Sequence, residues 1–241
     1  MSTYLIIAKR EVASFFDSLT AYVLITVFLG LSGFFTWLYG SDIFFIGQAS
    51  LQSFFSVAYW SLFFFIPALT MRSIAEEKKS GTIEMLLSKP VSDYQLVMGK
   101  FIADFELILI ALLLTLPYYI TVSFLGPVDH GAVICGYLGM LLMSAALIGI
   151  GIFSSSLTNN QIVAFLLSLF IGLFFIIIFD VLAGDSTGAF AQLFSYLSIS
   201  THYESMSRGV IDSRDIIYFL SLAGLSVFSA TMVLSKRKIV E

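Results

Sequence analysis

Charged residues divide this chain into apolar runs much longer than a soluble fold requires. No Asp, Glu, Lys or Arg occurs between Asp17 and Asp42, Asp42 and Arg72, Glu106 and Asp129, Asp129 and Asp180, or Asp215 and Lys236. A helix needs about 20 apolar residues to cross the hydrocarbon core of a bilayer. The run from Asp129 to Asp180 is too long for one crossing, and the polar sequence Ser154-Ser155-Ser156-Leu157-Thr158-Asn159-Asn160-Gln161 divides it in two. The pattern predicts an all-α membrane protein forming one domain over residues 1–241. Its six spans are expected at residues 19–39, 52–71, 107–125, 132–153, 162–179 and 216–234.

The segments outside these runs are patterned too. Over residues 4–18, Leu5, Ala8, Val12 and Phe15 recur at three- and four-residue spacing that continues to Leu19, with Lys9, Arg10, Glu11 and Asp17 among the others. This predicts an amphipathic helix lying in the membrane interface before the first span. The charged stretch precedes an apolar run too long for a secretory signal, so no cleavable leader is expected. Placing both termini in the cytoplasm puts Lys9, Arg10, Arg72, Lys78, Lys79, Lys89, Lys100, Lys236, Arg237 and Lys238 inside, with only Arg208 and Arg214 outside. That bias satisfies the positive-inside rule, and an even number of crossings requires the same arrangement. Residues 72–100 then form the longest internal cytoplasmic connection, and residues 180–215 an external segment.

Composition agrees, with 59% hydrophobic and 12% charged residues against roughly half and a quarter in soluble domains. A net charge of −4 without a basic stripe argues against nucleic acid as a partner. The single cysteine, Cys135, excludes an intrachain disulfide framework and lies in an apolar segment. Small residues gather in the fourth span (Gly136, Gly139, Ala145, Gly149 and Gly151), which predicts close helix packing within the chain or with a second copy. Pro67 and Pro117 fall inside the second and third spans, where neighbouring groups can satisfy the freed carbonyls.

The 72–100 connection is the segment best suited to a partner. A charged helical extension runs from Arg72 to Gly81, where the chain can turn. A short helix is expected from Thr82, with Ile83, Leu86 and Leu87 on one face and Pro90 at its end. Ser92-Asp93-Tyr94-Gln95 supplies a capping box for the helix that feeds span three. The flanking charges are five basic and four acidic, which suits a protein groove better than an anionic lipid surface.

The run Glu76-Glu77-Lys78-Lys79-Ser80-Gly81-Thr82-Ile83-Glu84-Met85-Leu86-Leu87-Ser88-Lys89-Pro90, followed by Gly99-Lys100, resembles the signature of ABC-2 type permeases. Arg10-Glu11 in the N-terminal helix, the six spans and the external segment before the last span are similar as well. Within that family, Ser154–Phe165 and Ser207–Asp215 look most like the gliding-motility-associated permeases of Bacteroidota, the GldF-like group. The resemblance implies a half-transporter of the bacterial inner membrane whose two permease chains pair, each docking on a cytoplasmic ATPase that binds ATP and Mg. Glu76, Glu77, Gly81, Thr82, Glu84, Leu86, Leu87 and Pro90 would transmit motion and carry out no catalysis. It implies no cofactor in this chain, export rather than import, and room for an accessory subunit with a periplasmic domain. The alternative it leaves open is a non-transporting anchor that recruits an ATPase to a gliding or secretion machine.

Other chemistry finds little support. Gly99-Lys100-Phe101 lacks the hydroxyl residue and upstream glycine of a phosphate-binding loop. The central parts of the spans carry no ionisable residue of the kind proton- and sodium-coupled carriers keep. Asp104 and Glu106 sit at the start of span three, where Lys100 can pair with Asp104. Asp180, Asp185, His202 and Glu204 lack metal-ligand spacing, and His130 reads as a loop residue. Phe190, Leu193, Phe194 and Leu197 form a further amphipathic stretch, read as an external interfacial or re-entrant helix or as ordinary packing over the bundle.

Overall fold

The computed structural model describes residues 2–38, 49–82, 91–185 and 187–240, with side chains as far as Lys236. The expected short helix after Thr82 falls largely outside these residues, as do Glu84, Leu86, Leu87 and Pro90. Among the described residues, six helices are long and apolar enough to cross a membrane: Thr20–Trp37, Gln52–Ser80, Asp93–Leu125, His130–Leu157, Gln161–Asp185 and Ser213–Lys236. The end of the bundle that gathers residues 9–11, 72–82 and 236 is called the basic end below, and the opposite one the far end.

Helix α1, Thr3–Asp17, packs against the start of the third span and buries Ala8. Helix α2, Thr20–Trp37, packs against α3, Gln52–Thr70, which contains Pro67 in its last turn. The chain breaks at residues 71–74 before α4, Ala75–Ser80. Gly81 ends α4 with φ of 71°, a left-handed conformation that glycine adopts without a Cβ clash.

The third span is two helices. Helix α5, Asp93–Leu113, starts at a complete capping box: Ser92 Oγ accepts from the Gln95 N–H, and Gln95 Oε1 accepts from the Ser92 N–H. Helix α6, Leu116–Leu125, begins with Pro117 in its first turn. Proline has no N–H to continue the ladder of α5, so the chain re-enters as a new helix. Thr115 bridges the break, its hydroxyl donating to the Leu112 carbonyl at 2.6 Å and lying 3.0 Å from the Tyr137 hydroxyl.

Helix α7, His130–Leu157, is the centre of the molecule and contacts α3, α5, α8, α11 and α12. Asp129 caps it by accepting from the Ala132 N–H at 3.1 Å. Its apolar residues surround the whole axis, as expected for a helix buried on every side. The small residues of this span serve packing within the chain. A Cβ at Gly136 would lie 2.6 Å from the Phe55 ring, and one at Gly139 3.1 Å from Met206. Gly149 meets Ser226 and Ala223 of the last span, and Gly151 meets Thr70.

Helix α7 runs one turn beyond the expected end of span four. Ser154, Ser155 and Ser156 belong to its buried last turn, and only Thr158, Asn159 and Asn160 separate it from α8, Gln161–Leu173. A π turn follows at Phe174–Ile178, then α9, Phe179–Asp185. Beyond lie α10 (Ala189–Leu197), α11 (Ile199–Ser207) and the last helix, α12 (Ser213–Val240). Helix α10 carries the amphipathic stretch, with Phe190 and Leu193 exposed.

His130 is the first residue of α7 rather than a loop residue, and its Nδ1 lies 2.6 Å from the Tyr119 hydroxyl on α6.

Candidate functional site

Four elements meet at the basic end, each delivered by its own local sequence logic. The capping box fixes the start of α5, so Gly99 and Lys100 come to face α1 two turns later. Glycine at 99 lets α1 approach: a Cβ there would sit 2.7 Å from Ile7 Cγ2 and 3.0 Å from the Tyr4 carbonyl. Lys100 is 4% exposed, and its Nζ donates to Glu77 Oε1 at 2.8 Å and to Glu11 Oε1 at 3.3 Å. One ammonium on α5 thus ties α1 and α4 together. Such a pair gains little net stability over an apolar replacement, but removing one partner strands buried charge.

The expected Lys100–Asp104 pairing is not the arrangement formed. Lys100 turns to the two glutamates, while Asp104, buried one turn further along α5, accepts from the Ser73 hydroxyl at 3.0 Å. Two carboxylates reach the ammonium from other helices at hydrogen-bond distance, so it need not fold back along its own helix. Glu11, Arg72, Ser73, Glu77 and Asp104 line a cavity of about 300 Å³ here.

The end of α7 holds the far side of α4. Ser155 Oγ accepts from the N–H groups of Ile74 and Ala75, both at 3.0 Å, and donates to the Met71 carbonyl at 3.1 Å. The Lys78 ammonium donates to the Ser156 carbonyl, a favourable place for a cation at a helix C-terminus. Ser80 Oγ donates to the Glu76 carbonyl at 2.9 Å and lies 2.9 Å from Thr82 Oγ1.

Of the coupling residues expected from the sequence, Glu77 turns inward to Lys100, whereas Glu76, Gly81 and Thr82 are exposed. Glu84, Leu86, Leu87 and Pro90 lie outside the described residues. Glu11, Ser73, Lys78 and Ser155 are also members of the site, though the sequence pattern does not single them out. A signal existed for two of them: Arg10-Glu11 belongs to the family resemblance, and three serines in a row end an otherwise apolar helix.

At the far end a second polar cluster joins α11 to α12. His202 Nδ1 lies 2.6 Å from Asp215 Oδ1, and Nε2 lies 3.1 Å from the Tyr196 carbonyl. The Tyr218 ring stacks on the imidazole with centroids 4.1 Å apart, and its hydroxyl donates to the Leu197 carbonyl at 2.6 Å. Nearby, Tyr59 Oη lies 2.9 Å from Ser200 Oγ, which donates to the Ile176 carbonyl in the π turn. Burial raises the Tyr203 phenol well above its ordinary value. Among the described residues no group of histidine, cysteine, aspartate or glutamate forms a metal cluster.

A sequence profile described as ABC-2 family transporter protein matches residues 46–234. The chain belongs to the ABC-2 transporter family. No curated protein shows significant similarity to it. ABC-2 membrane domains are typically non-catalytic transmembrane subunits of ABC transporters and generally partner an ABC ATPase. The matched region takes in the 72–82 segment, Lys100, four of the six candidate spans whole and all but the end of the last. Six candidate spans and family membership together make this a multi-pass membrane protein.

Proposed function

We propose that this chain is the permease subunit of an ATP-driven exporter, and that residues 72–100 form its docking loop for a cytoplasmic ATPase. In this reading both termini are cytoplasmic, as the distribution of lysine and arginine favours. Exposed Glu76, Gly81 and Thr82, with Glu84, Leu86, Leu87 and Pro90 further along the loop, contact the ATPase. Inward-facing Glu77 passes the displacement on.

The observation that carries the proposal is the Lys100 ion cluster. A loop that transmits force must be anchored to the bundle on both sides, and Lys100 joins α1, α4 and α5 beside the loop. A solvated surface loop has no use for a buried ammonium at its root. The nucleotide and Mg belong to the ATPase in this reading, and a second copy of the permease completes the pathway.

The narrower likeness to gliding-associated permeases rests on Ser154–Phe165 and Ser207–Asp215. We carry it as part of the proposal, together with an accessory subunit bearing a periplasmic domain.

The test is co-purification with an ABC ATPase from the native host. Leu86→Asp with Leu87→Asp, or Glu84→Lys, is expected to abolish it while membrane insertion stays intact. Undiminished association in these variants refutes the docking assignment. Reconstituted vesicles separate a transporter from a bare anchor: in a transporter, cargo stimulates ATP hydrolysis.

A further inference from the structure

In a continuous helix the Ala75 N–H bonds the Met71 carbonyl, and the Ile74 N–H bonds the Thr70 carbonyl. Neither bond is present at the α3–α4 break. The Thr70 carbonyl accepts instead from the Ser73 N–H at 3.0 Å. Ser155 Oγ occupies the Met71–Ala75 bond from both sides, donating to the carbonyl and accepting from the amide, and it accepts from Ile74 as well. A serine hydroxyl offers one donor and two lone pairs, so its full capacity is spent on the break. Ser155 is completely buried, which leaves no water to do the same work. A side chain inserted into the i to i−4 ladder is a recognised cause of a helix break.

The groups involved have a second way to be satisfied. If Ser155 withdraws, Met71 and Ala75 can bond directly, and Ile74 can reach the Thr70 carbonyl. Ser155 can then donate to the carbonyl four residues back in its own helix, as Ser154 does to Ile150 at 2.9 Å. Both settings leave buried polar groups paired, so neither bears the cost of an unmade hydrogen bond. The packing around the break also bears on the exchange. Gly151, one turn before Ser155, lets α7 lie against Thr70, where a Cβ would overlap the threonine hydroxyl.

We propose that Ser155 is a positioning residue for coupling. Its hydroxyl stands in the Met71–Ala75 backbone bond and makes the α3–α4 break a joint with a second, straight setting in which that bond closes directly. The proposal deepens the docking reading, since displacement of the loop at residues 72–82 reaches α3 through this joint. Its test uses the permease alone, so failure of ATPase docking leaves the joint standing, and the reverse holds too.

The experiment is carried out on the full chain in lipid nanodiscs with Cys135→Ser. Spin labels at Phe64→Cys on α3 and Lys79→Cys on α4, both exposed positions, report the distance across the joint. Ser155→Ala is expected to shift that distance toward the roughly 22 Å of fifteen residues of unbroken helix. At the same time the amides of Ile74 and Ala75 keep their protection from hydrogen exchange, because the direct bonds replace the hydroxyl. Ser155→Thr, which keeps the hydroxyl, retains the wild-type distance. An unchanged distance in Ser155→Ala overturns the joint. So does exchange at residues 74 and 75 faster by about tenfold or more, the signature of amides left unpaired. Failure of Ser155→Ala to fold where Ser155→Thr folds also overturns it, since the straight setting is then not available.

Discussion

Gly99 lies so close beneath Ile7 that a Cβ on the glycine would sit 2.7 Å from Ile7 Cγ2 and 2.8 Å from Ile7 Cβ. This contact sets the height of α1 above α5, and Lys100 meets Glu11 because that height is small. Gly99→Ala is therefore expected to lift α1. Overpacking of this kind costs about 1–3 kcal/mol, partly offset by the roughly 1 kcal/mol that alanine gains over glycine in a helix. A lowered midpoint of thermal unfolding checks this. A raised midpoint shows that α1 can move aside without cost.

Lys100→Met leaves Glu11 and Glu77 facing each other without their shared cation. The expected loss is about 3 kcal/mol, typical of breaking a buried ion pair. Replacing all three residues, Glu11→Gln, Glu77→Gln and Lys100→Met, should recover most of that loss. Denaturant unfolding of the single and triple variants measures the difference, and equal stabilities contradict the ion cluster as described.

Glu76 and Glu77 are neighbours with opposite surroundings, one exposed and one turned to Lys100. Glu76→Lys is expected to weaken ATPase association without lowering the unfolding midpoint. Glu77→Lys is expected to lower the midpoint, because it sets an ammonium against an ammonium. The pair is checked by measuring binding and melting on both variants, and a reversed pattern sinks the assignment of inner and outer faces.

At the far end, His202→Ala strands the buried Asp215, whose Oδ2 is without a hydrogen-bond partner among the described residues. The expected cost is about 3 kcal/mol. A double-mutant cycle with Asp215→Ala should give a coupling of about 0.5–3 kcal/mol. Strict additivity would mean that the 2.6 Å contact contributes nothing to holding α11 on α12.

Much of the fold was legible along the sequence because the relevant forces act locally. Long uncharged runs mark helices suited to a bilayer, and Ser92 with Gln95 announces a helix start within four residues. Gly81 marks the end of α4 in the same way. The site was only half legible. Ser155 acts on Ile74 across 81 positions, and Lys100 reaches Glu11 across 89. No periodicity records such meetings. Along the sequence the serine run marks a divider between spans, because polar residues usually mark an exit from the apolar phase. Here those hydroxyls are buried and serve the backbone of another helix. The Lys100–Asp104 expectation failed for a related reason: spacing along one helix competes with partners arriving from others.

The π turn at Phe174–Ile178 sets the azimuth of everything that follows it in the fifth span. Side chains four residues apart on an α-helix drift by about 40° per step, and the wider turn of a π segment takes up such drift. Ala164, Ser168 and Gly172 before the turn and Ile176 within it are buried at four-residue steps, and Ile176 and Asp180, the next step, line a cavity of about 440 Å³. Within the turn, the Ile176 carbonyl accepts from Ser200 Oγ. The five-residue turn thus works as a phase corrector, carrying one side of a single rod from its packed neighbours on to the vestibule.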